Sequence, residues 1–150
     1  SARVVGGAVR LADGRGVWAA GVTVYQCEAR RRGVGVEDGE ANGDLGPHQT
    51  FATIDGGIPD GLAVAVDGSV GVANADGGRV EVFEPDGSLR RSIPCELPMV
   101  TSVCFGGADL MDFYIVTGSR GAGGDNAGSI YRMRADVAGL PLAPAAVALP

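Results

Sequence analysis

Few residues in this 150-residue chain are of a type that does chemistry, and their spacing narrows the choice further. The one histidine, His48, excludes any site that needs two imidazoles from one chain. Three cysteines, Cys27, Cys95 and Cys104, form no C-x-x-C pair and are odd in number, which argues against a disulfide framework. Cys104, between Val103 and Phe105 in an apolar run, reads as buried, and Trp18 reads as core. No G-x-S-x-G frames a nucleophilic serine. The glycine-rich stretch 118–124 lacks the spacing of a phosphate cradle and reads as a loop. Carboxylates remain. Asp38-Gly39-Glu40-Ala41-Asn42-Gly43-Asp44 sets oxygens at alternate positions with Gly at the sixth, partly the pattern of a calcium loop. Position twelve is Gln49 and neither flank is helical, so a solvated loop is expected there. Pro59-Asp60-Gly61 stands at the mouth of an apolar run. The same tripeptide recurs as Pro85-Asp86-Gly87 between two strand-like runs, where it reads as a hairpin turn. On spacing alone, Asp60 is open between a turn residue and a functional carboxylate. Thr101 and Ser102 hold the corresponding place before a later apolar run, where hydroxyls either line the same space or satisfy strand-end backbone groups.

The elements that must position these residues are strands. Glycine is 26 of 150 residues, about twice ordinary usage. Valine is far commoner than leucine, a balance that suits many short strands and suits helices poorly. Strand-like runs fall at residues 4–11, 17–20, 22–27, 50–54, 62–66, 69–73, 80–84, 88–93, 101–105, 113–117 and 129–133. Asp13-Gly14, Asp67-Gly68, Asp76-Gly77-Gly78 and Asp86-Gly87 punctuate them as turns. No segment keeps a 3.6-residue period for ten residues, so an all-β fold is expected.

Three segments stack as repeats: residues 5–14, 59–68 and 100–107. Each enters a short strand through small or polar residues and then turns toward a second strand. The polar stretch 29–46 reads as an insertion that lengthens the first interval. Four short strands in about 40 residues is the period of a propeller blade, so the chain is expected to hold about three blades. Known rings have four to eight blades, and an arc of three leaves sheet faces open at both ends. Pairing with another copy is one way to close it.

Charge and hydropathy exclude several partners. Twelve arginines, no lysine and 18 acidic residues give a net charge of −6, the wrong sign for a nucleic-acid backbone or an anionic membrane. The single basic run, Arg30-Arg31-Arg32, is followed closely by acids and reads as a solvated face. No apolar stretch approaches the ~18 residues of a membrane span. A soluble, cytoplasmic protein is expected.

Four stretches make a pattern: residues 58–64 (Ile-Pro-Asp-Gly-Leu-Ala-Val), 78–87 (Gly-Arg-Val-Glu-Val-Phe-Glu-Pro-Asp-Gly), 101–107 (Thr-Ser-Val-Cys-Phe-Gly-Gly) and 113–117 (Phe-Tyr-Ile-Val-Thr). Together they resemble the C-terminal half of the gluconolactonase/regucalcin (senescence marker protein) family, closely over residues 48–142 and more weakly over 1–47. The resemblance implies half of a six-bladed propeller in one partial domain, with a divalent metal, Ca or Zn, in a central channel. There the ion would polarise a lactone carbonyl and activate water. Carried over residue by residue, it makes Asp60 a metal ligand and candidate base, with Thr101 and Ser102 toward the lactone. The family's asparagine ligand, in an Asn-Gly-Leu element one blade earlier, maps onto Gly6-Gly7-Ala8, where no amide stands. Its glutamate ligand belongs to the family's N-terminal half. A homodimer would bring two Asp60 carboxylates to one channel. The alternative is a non-catalytic half-propeller that serves binding or assembly.

Overall fold

The computed structural model describes residues 12–18 by backbone alone and residues 23–40, 44–120 and 128–141 in full. These form eleven strands and one 3-10 turn, Ala29–Arg31. No α-helix occurs among the described residues, and none is long and apolar enough to cross a membrane. The runs at residues 4–11 and the side chain of Trp18 lie outside the described set.

The strands build three antiparallel sheets in chain order. Sheet one is β1 (Ala12–Trp18), β2 (Thr23–Glu28), β3 (Gly33–Asp38) and β4 (Gln49–Thr53). Sheet two is β5 (Ile58–Val64), β6 (Val70–Ala75), β7 (Arg79–Phe83) and β8 (Leu89–Pro94). Sheet three is β9 (Val100–Gly106), β10 (Asp112–Thr117) and β11 (Ile130–Arg134). The first strands pack on one another, β1 against β5 and β5 against β9, so they gather about a common axis with later strands farther out. This is the blade arrangement of a propeller.

Burial follows from that stacking. Sheet two lies between the other two, and β6 is buried along its whole length. Val70 and Val72 join Tyr25, Val34 and Leu62 in a core between sheets one and two. Ala73 joins Val80, Val103 and Phe113 in a second core between sheets two and three. A strand covered on both faces reads as a near-continuous apolar run, and residues 70–73 do. Sheet three has a neighbour on one side only. Val103 therefore turns inward and Cys104, the next residue, is exposed, against the burial expected of it. Tyr25, Phe51 and Phe83 form an edge-to-face chain, with centroids 4.9 and 6.2 Å apart, that ties sheet one to sheet two.

One expectation about the first repeat changes. The stretch 29–46 is not a plain insertion: it holds β3, in register with β2 from Thr23↔Asp38 to Glu28↔Gly33. Gly33-Val34-Gly35 lacks the alternation of a half-exposed strand because close neighbours occupy the glycine positions. A Cβ on Gly35 would lie 2.2 Å from the His48 ring. At the ends of the loop expected to be solvated, Glu40 N–H donates to the Asp44 carbonyl and Thr23 Oγ1 donates to Asp38 Oδ1. Arg30, Arg31 and Arg32 are exposed, as a solvated face requires.

The two Asp-Gly-Ser turns repeat one design. Ser69 and Ser88 each donate backbone N–H and hydroxyl to the preceding Asp67 or Asp86, around Gly68 and Gly87 at φ 84° and 83°. Arg90 bridges the β5–β6 turn to the β7–β8 turn through Asp67 (2.9 Å) and Glu84 (2.6 Å). Burial pushes the Asp67 carboxyl up, but hydrogen bonds from Ser69 and Arg90 outweigh it and hold it below the usual range. Arg90 holds Glu84 low in the same way. Folded pKa values below the unfolded ones mean stability that is fully present above about pH 4 and lost as pH falls through the folded values. Urea midpoints measured at pH 5 and pH 3 should therefore drop with acid, and Arg90→Ala should flatten that drop.

Candidate functional site

Each first strand carries an irregularity at the same level. In β5, Pro59 pairs with Asn74 and Leu62 with Val72, so Asp60 and Gly61 together face the single residue Ala73. This is a β-bulge, a device that re-aims side chains at sheet rims and active sites. Asp60-Gly61 is thus part of β5, unlike the outwardly identical Asp86-Gly87, which is a turn. In β9, Val100 pairs with Thr117 and Ser102 with Val116, leaving Thr101 as the extra residue. In β1, Ala12 pairs with Glu28 and Arg15 with Gln26, the spacing found in β5. Asp13-Gly14 is therefore the ladder equivalent of Asp60-Gly61. The start of the expected first repeat, and the position mapped by resemblance onto Gly6-Gly7-Ala8, lie outside the described residues.

The bulges of sheets two and three touch. A Cβ built on Gly61 would lie 2.7 Å from Ser102 Oγ and 2.8 Å from Ser102 Cα. Only glycine lets β9 approach so closely, since the second contact is backbone. Asp60 is half-buried, Thr101 half-buried and Ser102 exposed beside them. The Thr101 hydroxyl donates to the Val116 carbonyl at 3.2 Å, the strand-end role open to it from sequence. Gly61→Ala should force the two strands apart, costing about 1–3 kcal/mol. Urea unfolding checks this, with a midpoint shift expected even though one methyl is the only change.

Behind the Asp60 bulge lies a buried polar cluster that the sequence did not announce. Asn74 is fully buried and Glu81 nearly so. Asn74 Nδ2 donates to the Asp55 carbonyl at 3.4 Å and to Glu81 Oε2 at 3.5 Å. Arg79 Nε donates to Glu81 Oε1 at 2.9 Å, Nη1 to the Gly77 carbonyl at 3.2 Å, and Nη2 to the Asp55 carbonyl. Asn74 Oδ1 has no hydrogen-bond partner among the described residues. The signal available beforehand was an amide within the apolar run 70–75.

The donors at the bulges are all oxygens, one carboxylate from Asp60 and hydroxyls from Thr101 and Ser102. That kind of set suits a hard cation such as Ca²⁺, which takes six to eight oxygens, better than Zn²⁺, which favours nitrogen and sulfur. In number it is incomplete. Among the described residues, no group of three or more His, Cys, Asp or Glu side chains could hold a metal ion. The arrangement offers one wall of a site, at one end of the axis shared by the first strands.

Three stacked sheets, two of four strands and one of three, with bulged inner strands define a propeller segment. Comparison with known proteins sharpens this: residues 1–119 match the SMP-30/Gluconolactonase/LRE-like region, and the chain belongs to that family. It is 38% identical over 97 residues to a pentonolactonase of Haloferax volcanii, covering 57% of this chain and 33% of that one. It is 39% identical over 64 residues to regucalcin of Danio rerio, covering 42% and 22%. The structure superposes on a luciferin-regenerating enzyme with a TM-score of 0.79 at 23% identity, over 88% of this chain and 48% of the other. The chain thus spans a third or less of these curated relatives and about half of that solved propeller. The expected all-β fold of about three propeller blades is what the structure has.

Proposed function

We propose that this chain contributes three blades, and the bulged end of a channel, to a propeller that hydrolyses small lactones with the help of a divalent cation. The observation that carries the reading is the bulge of β5, which brings Asp60-Gly61 against Ser102 of β9. Kinship with a pentonolactonase supports the lactone as substrate class. Asp60 and the Ser102 hydroxyl would hold the ion on this side, Ca²⁺ fitting the oxygen donors best. When bound, such an ion stabilises the oxyanion that forms as the carbonyl is attacked and acidifies water. The Asp60 carboxylate, with two oxygens and several lone pairs, takes the proton from the attacking water and returns it to the ring oxygen as the C–O bond breaks, giving the hydroxy acid. Thr101 and Ser102 border the space for the lactone.

Completing the ring needs more blades. A second copy of this chain would add three and bring a second Asp60 to the channel; further blades of a longer polypeptide would serve equally for closure. Light scattering on the purified chain, run with hydrolysis of D-glucono-1,5-lactone in Ca²⁺ and in chelator, tests this. The reading expects twice the chain mass and chelator-sensitive turnover. A closed ring with no turnover of any lactone would leave the non-catalytic binding or assembly role.

A further inference from the structure

We infer that Asn74 is a positioning residue for Asp60, holding the backbone that leads into the bulge; this rests on the reading of Asp60 as the cation-binding carboxylate. Asn74 is the one polar side chain of β6, a strand buried throughout, and it has no exposed surface. A valine would fill a strand position between two apolar cores at no polar cost, and valines do so at 70 and 72. The amide instead sits with its Oδ1 unsatisfied among the described residues, an expense that buried polar atoms rarely carry without a function. Its surroundings show what that function is. Cβ atoms on Gly57 and Gly77 would fall 1.7 and 2.3 Å from Asn74 Oδ1, so two glycine backbones clasp the amide. Asn74 and Arg79 both donate to the carbonyl of Asp55, and Glu81 tethers both donors. Residues 55–57 are thereby fixed, with Gly56 turned at φ 62°. Asn74 also pairs directly with Pro59, the last regular residue before Asp60 departs from the ladder.

The other sheets show the same position in use. The residue opposite the last regular position before the bulge is Glu28 in sheet one and Thr117 in sheet three. Thr117 is buried, its hydroxyl donating to the Ser129 carbonyl and accepting from the Ser129 N–H. Glu28 accepts from Arg31 at 3.2 Å. In each case a polar side chain at the end of the second strand ties down a neighbouring loop. The amide of sheet two holds the loop that enters the strand bearing Asp60.

Asn74→Val in the full chain tests this, with amide resonances and hydrogen exchange followed by NMR and Ca²⁺ affinity by calorimetry. The expected result is a folded protein in which the Asp60 and Gly61 amides shift and exchange about tenfold faster, while those of β8 do not change. Ca²⁺ affinity should fall about tenfold. Unchanged Asp60 and Gly61 amides would overturn the inference. Should Asn74→Val not fold, Glu81→Gln, which keeps the volume and releases Arg79, should give the same local pattern more weakly. Asp60→Ala separates the two readings: if it binds Ca²⁺ as tightly as wild type, the reading of Asp60 as a cation ligand fails, while the exchange data still decide the role of Asn74.

Discussion

Asp60→Ala should lower lactone turnover by roughly a thousandfold, about 4 kcal/mol of transition-state stabilisation, and leave the fold intact. The size follows from the two tasks assigned to one carboxylate, holding the ion that meets the oxyanion and moving the proton of the attacking water. The fold survives because Asp60 is half-buried on a bulge and belongs to neither core. The chain supplies its own control. Asp86 sits in the same Pro-Asp-Gly tripeptide, but its carboxylate caps a surface turn by accepting from the Ser88 N–H and hydroxyl. Asp86→Ala should leave turnover unchanged. Initial rates for wild type and both variants, with circular dichroism to confirm folding, check the pair. Equal losses in both would mean that the bulge confers nothing special on Asp60.

Phe113→Ala should cost about 3–5 kcal/mol of stability, the largest effect expected outside the site. The ring is buried between sheets two and three, 4.9 Å from the ring of Phe105, its cross-strand partner. It also lies over Gly71, where a Cβ would be 3.1 Å from its Cζ, so that position has no side chain to fill the space. A loss of that size is a large share of the 5–15 kcal/mol that holds a typical domain. It should lower the melting temperature by roughly 10 °C. Because the same interface seats Ser102 on Gly61, lactone turnover should fall along with stability. Denaturant titration with parallel rate measurements reads both.

How much of this was legible in the sequence depends on how local each signal was. The turns at Asp67-Gly68 and Asp86-Gly87 follow from a handful of residues each. The correspondence of residues 59–68 with 100–107 holds in the ladder, where Pro59 and Val100 both precede a bulge. The first sheet was harder because Asp-Gly serves both bulges and turns, and nothing local in Asp13-Gly14 says which. Only the pairing of β1 with β2 places it within a strand. β3 was hidden by glycines whose purpose is to admit His48 and the Ala52 carbonyl, neighbours supplied by the fold. Exposure of Cys104 depends on sheet three being covered on one face, a fact of blade order and not of its own residues. Asn74 and Glu81 were missed for a related reason: a buried polar group is visible only when both faces of its strand are known.

The claim on which the rest depends is that Asp60, on the bulge of β5, holds a divalent cation. Calorimetric titration of Ca²⁺ into the purified chain and into Asp60→Ala tests it most directly. The account predicts a single class of Ca²⁺ site in the wild type and a loss of at least tenfold in affinity, about 1.4 kcal/mol, when Asp60 is replaced. Binding of undiminished strength in Asp60→Ala, or no Ca²⁺ binding by a chain that forms a closed ring, would contradict it.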